Sequence, residues 1–170
     1  SWLLMAMGQP DEAIEQGRIA AELDPASASV MRSLGWLLYF ARRNQEAVVQ
    51  LERALVVNPT SEETQWVLGL ALTELGRLDE AEAALREADS AVRGANHHAV
   101  VALARLAVLR GRREEAEATL AALHDAARSR YVSPVDVARL CLALGDVEGT
   151  IRWIEEAYAE RRGWLTYLKV

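Results

Sequence analysis

Apolar residues recur along this chain at helical spacing, and one arrangement of them returns every 34 or 35 residues. Residues 68–88 show it most fully, with Leu68-Gly69, then Gly76, then Ala81, Leu85 and Ala88. Thirty-four residues upstream stand Leu34-Gly35, Ala47, Leu51 and Ala54, closed by Pro59, and Pro25 closes the preceding segment at the same interval. Val30, Leu34, Leu37, Leu38 and Ala41 mark one face of a helix over 27–41. Ala47, Val48, Leu51, Ala54 and Leu55 mark the next, over 44–57.

The same reading extends to both ends. Residues 2–7 predict the tail of a helix, Gly8 and Gln9 a turn, and Pro10 the first position of a helix over 10–23, where its missing N–H costs nothing. Gly17 stands where later repeats carry Leu51 and Leu85, which takes a side chain from the core and makes this repeat the softest. Thr60, followed by Glu63, predicts a capping box before helices over 61–75 and 78–92, with Gly76 in a left-handed turn between them. Gly111, Ala116 and Leu120 answer Gly76, Ala81 and Leu85 one residue late, so an extra residue falls in 93–96. Ser133-Pro134 opens the last pair, where Gly145, Ile154 and Ala157 keep the period and Thr150 replaces the small alanine. Residues 164–170 are expected to cap the array with Trp164, Leu165 and Leu168.

A period of this length built from helix pairs is a repeat signature, and these marks resemble the consensus of the tetratricopeptide repeat (TPR) family. The resemblance covers nearly the whole chain and implies an all-α fold, a right-handed superhelical solenoid of antiparallel helix pairs. About five repeats are expected, near 1–25, 26–59, 60–94, 95–130 and 131–163, with the first truncated and all in a single domain. The segments Gly35-Trp36-Leu37-Leu38-Tyr39-Phe40, Arg130-Tyr131-Val132-Ser133-Pro134 and Trp164-Leu165-Thr166-Tyr167 also resemble the C-terminal TPR arrays of bacterial multidomain regulators, which follow a winged-helix domain, a kinase or a cyclase.

Composition narrows the partner. With 19 basic and 25 acidic residues the net charge is −6, which argues against a general nucleic-acid or anionic-membrane surface. Gly and Pro, 10 and 4 of 170 residues, are too few for low complexity. One cysteine, Cys141, permits no internal disulfide and fits a reducing, cytoplasmic compartment. No apolar run approaches a membrane span, and the Ser1-Trp2 start reads as part of something longer.

Small residues such as Gly35, Gly69, Ala47 and Ala81 belong at close helix approaches and need no functional role. The resemblance directs attention instead to the inner face of each repeat's first helix, which in TPR proteins lines a groove for a protein segment. Arg32, Trp36, Tyr39 and Phe40 take those positions in the second repeat, and Trp66, Leu70 and Thr73 in the third. His98, Val101, Arg105 and Val108 follow in the fourth, with Arg139 and Leu142 in the fifth. Arg105 and Arg139, 34 residues apart, are expected side by side, where two guanidinium groups either fork a partner's carboxylate or pair with local acids. Trp36, Tyr39, Phe40 and Trp66 read as an aromatic floor for an apolar anchor, or, for Phe40 and Trp66 at least equally, as core filling. The lysines and asparagines with which TPR proteins grip acidic chaperone tails are replaced here by Arg32, Trp36, Trp66 and Leu70, so that capture is not expected.

No enzyme is expected, nor any cofactor or metal. His97-His98 lacks Cys or carboxylate neighbours at metal-ligand spacing and reads as an exposed or capping pair, His124 stands alone, and Cys141 lies in an apolar helix as a small core residue. Two functions stay open, a groove that binds a protein segment and a self-association module working through the apolar first repeat.

Overall fold

The computed structural model describes residues 1–91 and 97–160, side chains 91 and 97 apart, and every regular element among them is a helix. The expected extra residue in 93–96 and the expected cap over 164–170 lie outside the described residues. The described residues form two compact units, 1–91 and 97–160.

In the first unit the helices are α1 (Trp2–Ala6), α2 (Pro10–Leu23), α3 (Ala28–Phe40), α4 (Asn44–Val57), α5 (Glu62–Glu74) and α6 (Leu78–Ala91), each packed on its neighbour in the chain. The small marks sit where helices touch. A Cβ on Gly35 would lie 2.6 Å from Cγ of Leu51, and one on Gly69 2.5 Å from Cγ of Leu85. Glycine at these two positions therefore lets α3 meet α4, and α5 meet α6, across a leucine. At Gly17 the tips of Leu34 and Leu37 come to 3.0 Å from a Cβ position. Side chains of α3 thus occupy the space that the sequence assigns to a missing residue.

The turn inside each pair needs a positive φ, and Gly76 supplies it at +72°, with Gly8, Gly111 and Gly145 in the same region. Arg42 holds the equivalent place in the second repeat at φ +59°. The capping residue of α5 is Ser61 rather than Thr60: the Ser61 hydroxyl accepts the Thr64 N–H at 3.3 Å and lies 2.7 Å from the Thr64 hydroxyl. Thr60 instead donates to Asn58 Oδ1 at 3.4 Å, because the chain enters the helix one residue later than the Thr-x-x-Glu pattern proposes.

The second unit comprises α7 (His97–Leu109), α8 (Arg113–Ala127), α9 (Pro134–Leu144) and α10 (Val147–Ala159). Its core brings together Val101, Ala104, Ala116, Leu123, Val137, Leu140, Cys141 and Trp153. Arg113 donates to the Leu144 carbonyl at 2.8 Å and so ties the start of α8 to the end of α9. Asp146 caps α10 by accepting the Gly149 N–H at 2.9 Å, and Thr150 is accommodated by donating to the Asp146 carbonyl at 2.6 Å. Ser133 precedes α9 as expected but caps it through its carbonyl, which accepts the Asp136 N–H at 3.1 Å, not through its hydroxyl.

Candidate functional site

The sequence-expected site residues fall in both units, and their surroundings differ. In the first unit Trp36, Trp66 and Leu70 are sealed, at 3%, 6% and 4% exposure. Trp36 stacks on Phe40 with ring centres 5.3 Å apart and meets Trp66 edge to face at 5.1 Å, while Trp2 approaches Phe40 at 6.2 Å. Offset and edge contacts of this kind between large rings hold a core together. The aromatic floor is thus built, but its rings face one another instead of solvent, and of this group Tyr39 alone stays half-buried. The sequence leaves this undecided because helical position fixes which face a ring is on, not what later covers it.

Arg32, also half-buried, donates from Nε to Glu63 at 3.2 Å, joining α3 to the first turn of α5. Its charge is therefore partly answered within the unit.

In the second unit Arg105 and Arg139 hold the same register on α7 and α9, two helices that pack directly on each other, and both side chains are half-buried. One turn beyond Arg139, Leu142 is 65% exposed, an apolar side chain beside a cation. Val108 takes the matching place after Arg105 and is half-buried. The arrangement offers positive charge next to apolar surface, which suits a partner segment with both kinds of group.

One contact escapes sequence reasoning altogether. Asp136 is buried at 3% exposure, and its carboxylate stands 2.5 Å from Nδ1 of His98 across the α7–α9 seam. The pattern assigns Asp136 to a helix start and His98 to an exposed or capping pair, and nothing in a 34-residue period announces that the two meet. His124 likewise stacks on Trp153 at 5.7 Å, with the Arg152 guanidinium 5.8 Å from that indole. Cys141 is fully buried, and burial first, then the nearby Asp146 charge, pushes its thiol above the usual range. Among the described residues no three His, Cys, Asp or Glu side chains are grouped to hold a metal ion, and no helix is long and apolar enough to cross a membrane.

Comparison with known proteins bears on the fold. Family models described as tetratricopeptide repeat match residues 1–63, 34–96 and 97–122. Among solved structures, the type IV pilus biogenesis factor PilW is similar with a TM-score of 0.66 at 23% identity, over 93% of this chain and 76% of that one. MamA matches with a TM-score of 0.62 at 17% identity, over 96% and 95% of the two chains. A tetratricopeptide repeat protein from Parabacteroides merdae matches with a TM-score of 0.62 at 17% identity, over 98% of this chain and 66% of that one. At these identities the likeness is one of fold. No curated protein matches significantly in sequence.

Proposed function

Because the chain belongs to the tetratricopeptide repeat family, we propose that it is a non-catalytic scaffold that binds a segment of another protein on the first helices of its repeats, as a module of a larger bacterial regulatory protein. The segment carries a carboxylate and an apolar anchor. The observation that carries this reading is the register of Arg105 and Arg139 on packed helices, with exposed Leu142 one turn on. A guanidinium group favours a carboxylate over a hydroxyl or amide, since charge-assisted bonds are the stronger ones. Within the first unit, taken by itself, the first helices offer the half-buried ring of Tyr39 next to buried Trp36, with Trp66 and Leu70 also buried and Arg32 holding the α3–α5 step through Glu63. A reducing cytoplasmic setting accords with a single, buried thiol.

Peptide-library selection on the parent and on Arg105→Ala/Arg139→Ala tests the proposal. The parent should enrich acidic peptides with an apolar residue nearby, and the double variant should lose about 2 kcal/mol of binding, in the range of truncating a desolvated charged contact. Affinity should fall as salt rises. The same peptides selected equally by both proteins would remove the arginine pair from the site.

A second reading, self-association through the first repeat, is favoured by Leu3 and Met7, which are 73% and 64% exposed one turn apart on and just after α1. Sedimentation velocity over a range of concentrations distinguishes it, since a groove binder without its ligand sediments as a monomer.

A further inference from the structure

The first unit holds a cleft of about 240 Å³ between its second helices α2 and α4, over α3. Leu34 and Leu38, 3% and 2% exposed, make its floor, and Val49 of α4, 46% exposed, makes an open apolar wall. Arg18 reaches across from α2 and donates to Glu46 on α4 at 3.1 Å, while Arg43 holds the same carboxylate at 2.6 and 2.8 Å. Both charges that line the cleft are therefore answered within the chain. Gln45 and Gln50 line it as well, and neither side-chain amide makes a hydrogen bond to the described residues. Arg18 has Glu15 one turn before it and Glu22 one turn after it on the same stripe of α2. Both carboxylates are exposed, and neither forms an ion pair among the described residues.

We infer that this cleft takes one aliphatic side chain of an extended segment from a partner protein, with arginine or lysine two residues before and two residues after that anchor. Volume decides the size of the occupant: roughly 300–1,000 Å³ encloses a cofactor or drug-sized ligand, whereas 240 Å³ suits a single anchoring side chain. The two unengaged amides suit its backbone, since a carboxamide donates to a peptide carbonyl and accepts from a peptide N–H beside the anchor. Charge decides its flanks. Glu15 and Glu22 stand about 10 Å apart along α2, and the residues two before and two after an anchor in an extended segment point to one side about 13 Å apart, so long basic side chains reach both. An acidic segment meets the same two carboxylates and is repelled. The cleft lies on second helices, and the inference does not depend on Arg105, Arg139 or the first-helix face.

Three fluorescein-labelled peptides test it against the full chain by fluorescence anisotropy. The first is built on Arg-Thr-Leu-Thr-Arg, its threonines favouring the extended form; the second has serine for the leucine, and the third has glutamate for both arginines. The first should bind saturably, at least about tenfold more tightly than either of the others, and increasingly weakly as salt rises. Val49→Lys, which fills the cleft and brings a cation into it, should lose at least about tenfold in affinity with an unchanged circular dichroism melt, because the side chain is already exposed. Glu15→Gln/Glu22→Gln should lose most of the preference for arginine over glutamate and most of the salt response. Arg105→Ala/Arg139→Ala should bind like the parent, so that failure of the first-helix site leaves this one standing. Equal binding of the leucine and serine peptides, equal binding of the arginine and glutamate peptides, no binding by the parent, or full binding by Val49→Lys overturns the inference. So does a parent dimer that Val49→Lys dissociates, which makes a second copy the occupant.

Discussion

Single residues set the closeness of the helices and the cost of the turns. Gly69 lies where a Cβ would come 2.5 Å from Leu85 Cγ and 3.3 Å from the Ala81 carbonyl. Gly69→Leu should therefore destabilise by about 1–3 kcal/mol, since added carbons are driven into backbone as well as side chain. Gly17→Ala differs, because only the flexible tips of Leu34 and Leu37 lie near, at 3.0 Å, and the gain in helix propensity is about 1 kcal/mol. Its melt should stay within error of the parent or rise. Arg42 spends its left-handed turn at φ +59° with a Cβ that glycine lacks. Arg42→Gly should raise stability by up to about 1 kcal/mol in chemical denaturation, and no gain would show that this turn is unstrained. His98→Ala should cost about 1–3 kcal/mol because it leaves the Asp136 carboxylate buried without that contact. The same change made in an Asp136→Ala background should cost much less, and equal costs in both backgrounds would dissolve the pair.

At the scale of the element, a recurring clamp starts the second helices. Arg43 holds Glu46 through two bonds of 2.6 and 2.8 Å, Arg77 holds Glu80 at 2.8 and 2.6 Å, and Arg112 reaches Glu115 at 3.2 Å, each three residues apart. At the start of α2 an uncharged donor takes the place of arginine, Gln9 donating to the Glu12 carboxylate at 3.3 Å. The hydrogen bonds from Arg43 and Arg77, followed by their charge attraction, hold Glu46 and Glu80 below the usual carboxylate range. A carboxyl lowered in the folded state stabilises above its unfolded pKa, about 4.3, and that contribution is lost as pH falls through the lower folded value. Amide exchange at the first turns of α4 and α6 should accordingly accelerate below about pH 4 relative to the helix centres. Glu46→Gln with Glu80→Gln should flatten that acid response, while an unchanged profile would assign it to other groups. Because these clamps are exposed, high salt should weaken them.

For the whole molecule the burial pattern makes Cys141 a reporter. The thiol is fully covered in the second unit's core and its pKa is raised, so thiolate and access are both scarce in the native state. Alkylation by iodoacetamide should be slow in buffer and should accelerate together with the loss of helical ellipticity in denaturant. Fast modification of the native protein would mean that this unit opens without unfolding.

The sequence by itself determined the helices, their pairing and the family. Period and propensity are local properties, and a glycine or alanine recurring every 34 residues can only mark a repeated close approach. Boundaries followed as well: α2 and α4 run over 10–23 and 44–57, as their end residues imply. What tertiary structure alone decided is which side chains the surface keeps. Trp36 and Trp66 lie at positions equally suited to a binding floor or a core, and only the approach of α3 to α5 closes them on each other. His98 and Asp136 are 38 residues apart and out of step with the period, so their contact exists only once α7 lies against α9. Ile151 reads like Ile14 and Val48 in the chain, yet it is 54% exposed where each of those is 1% exposed. Periodicity assigns a residue to a face. What lies against that face is a long-range property of packing, which no local pattern encodes.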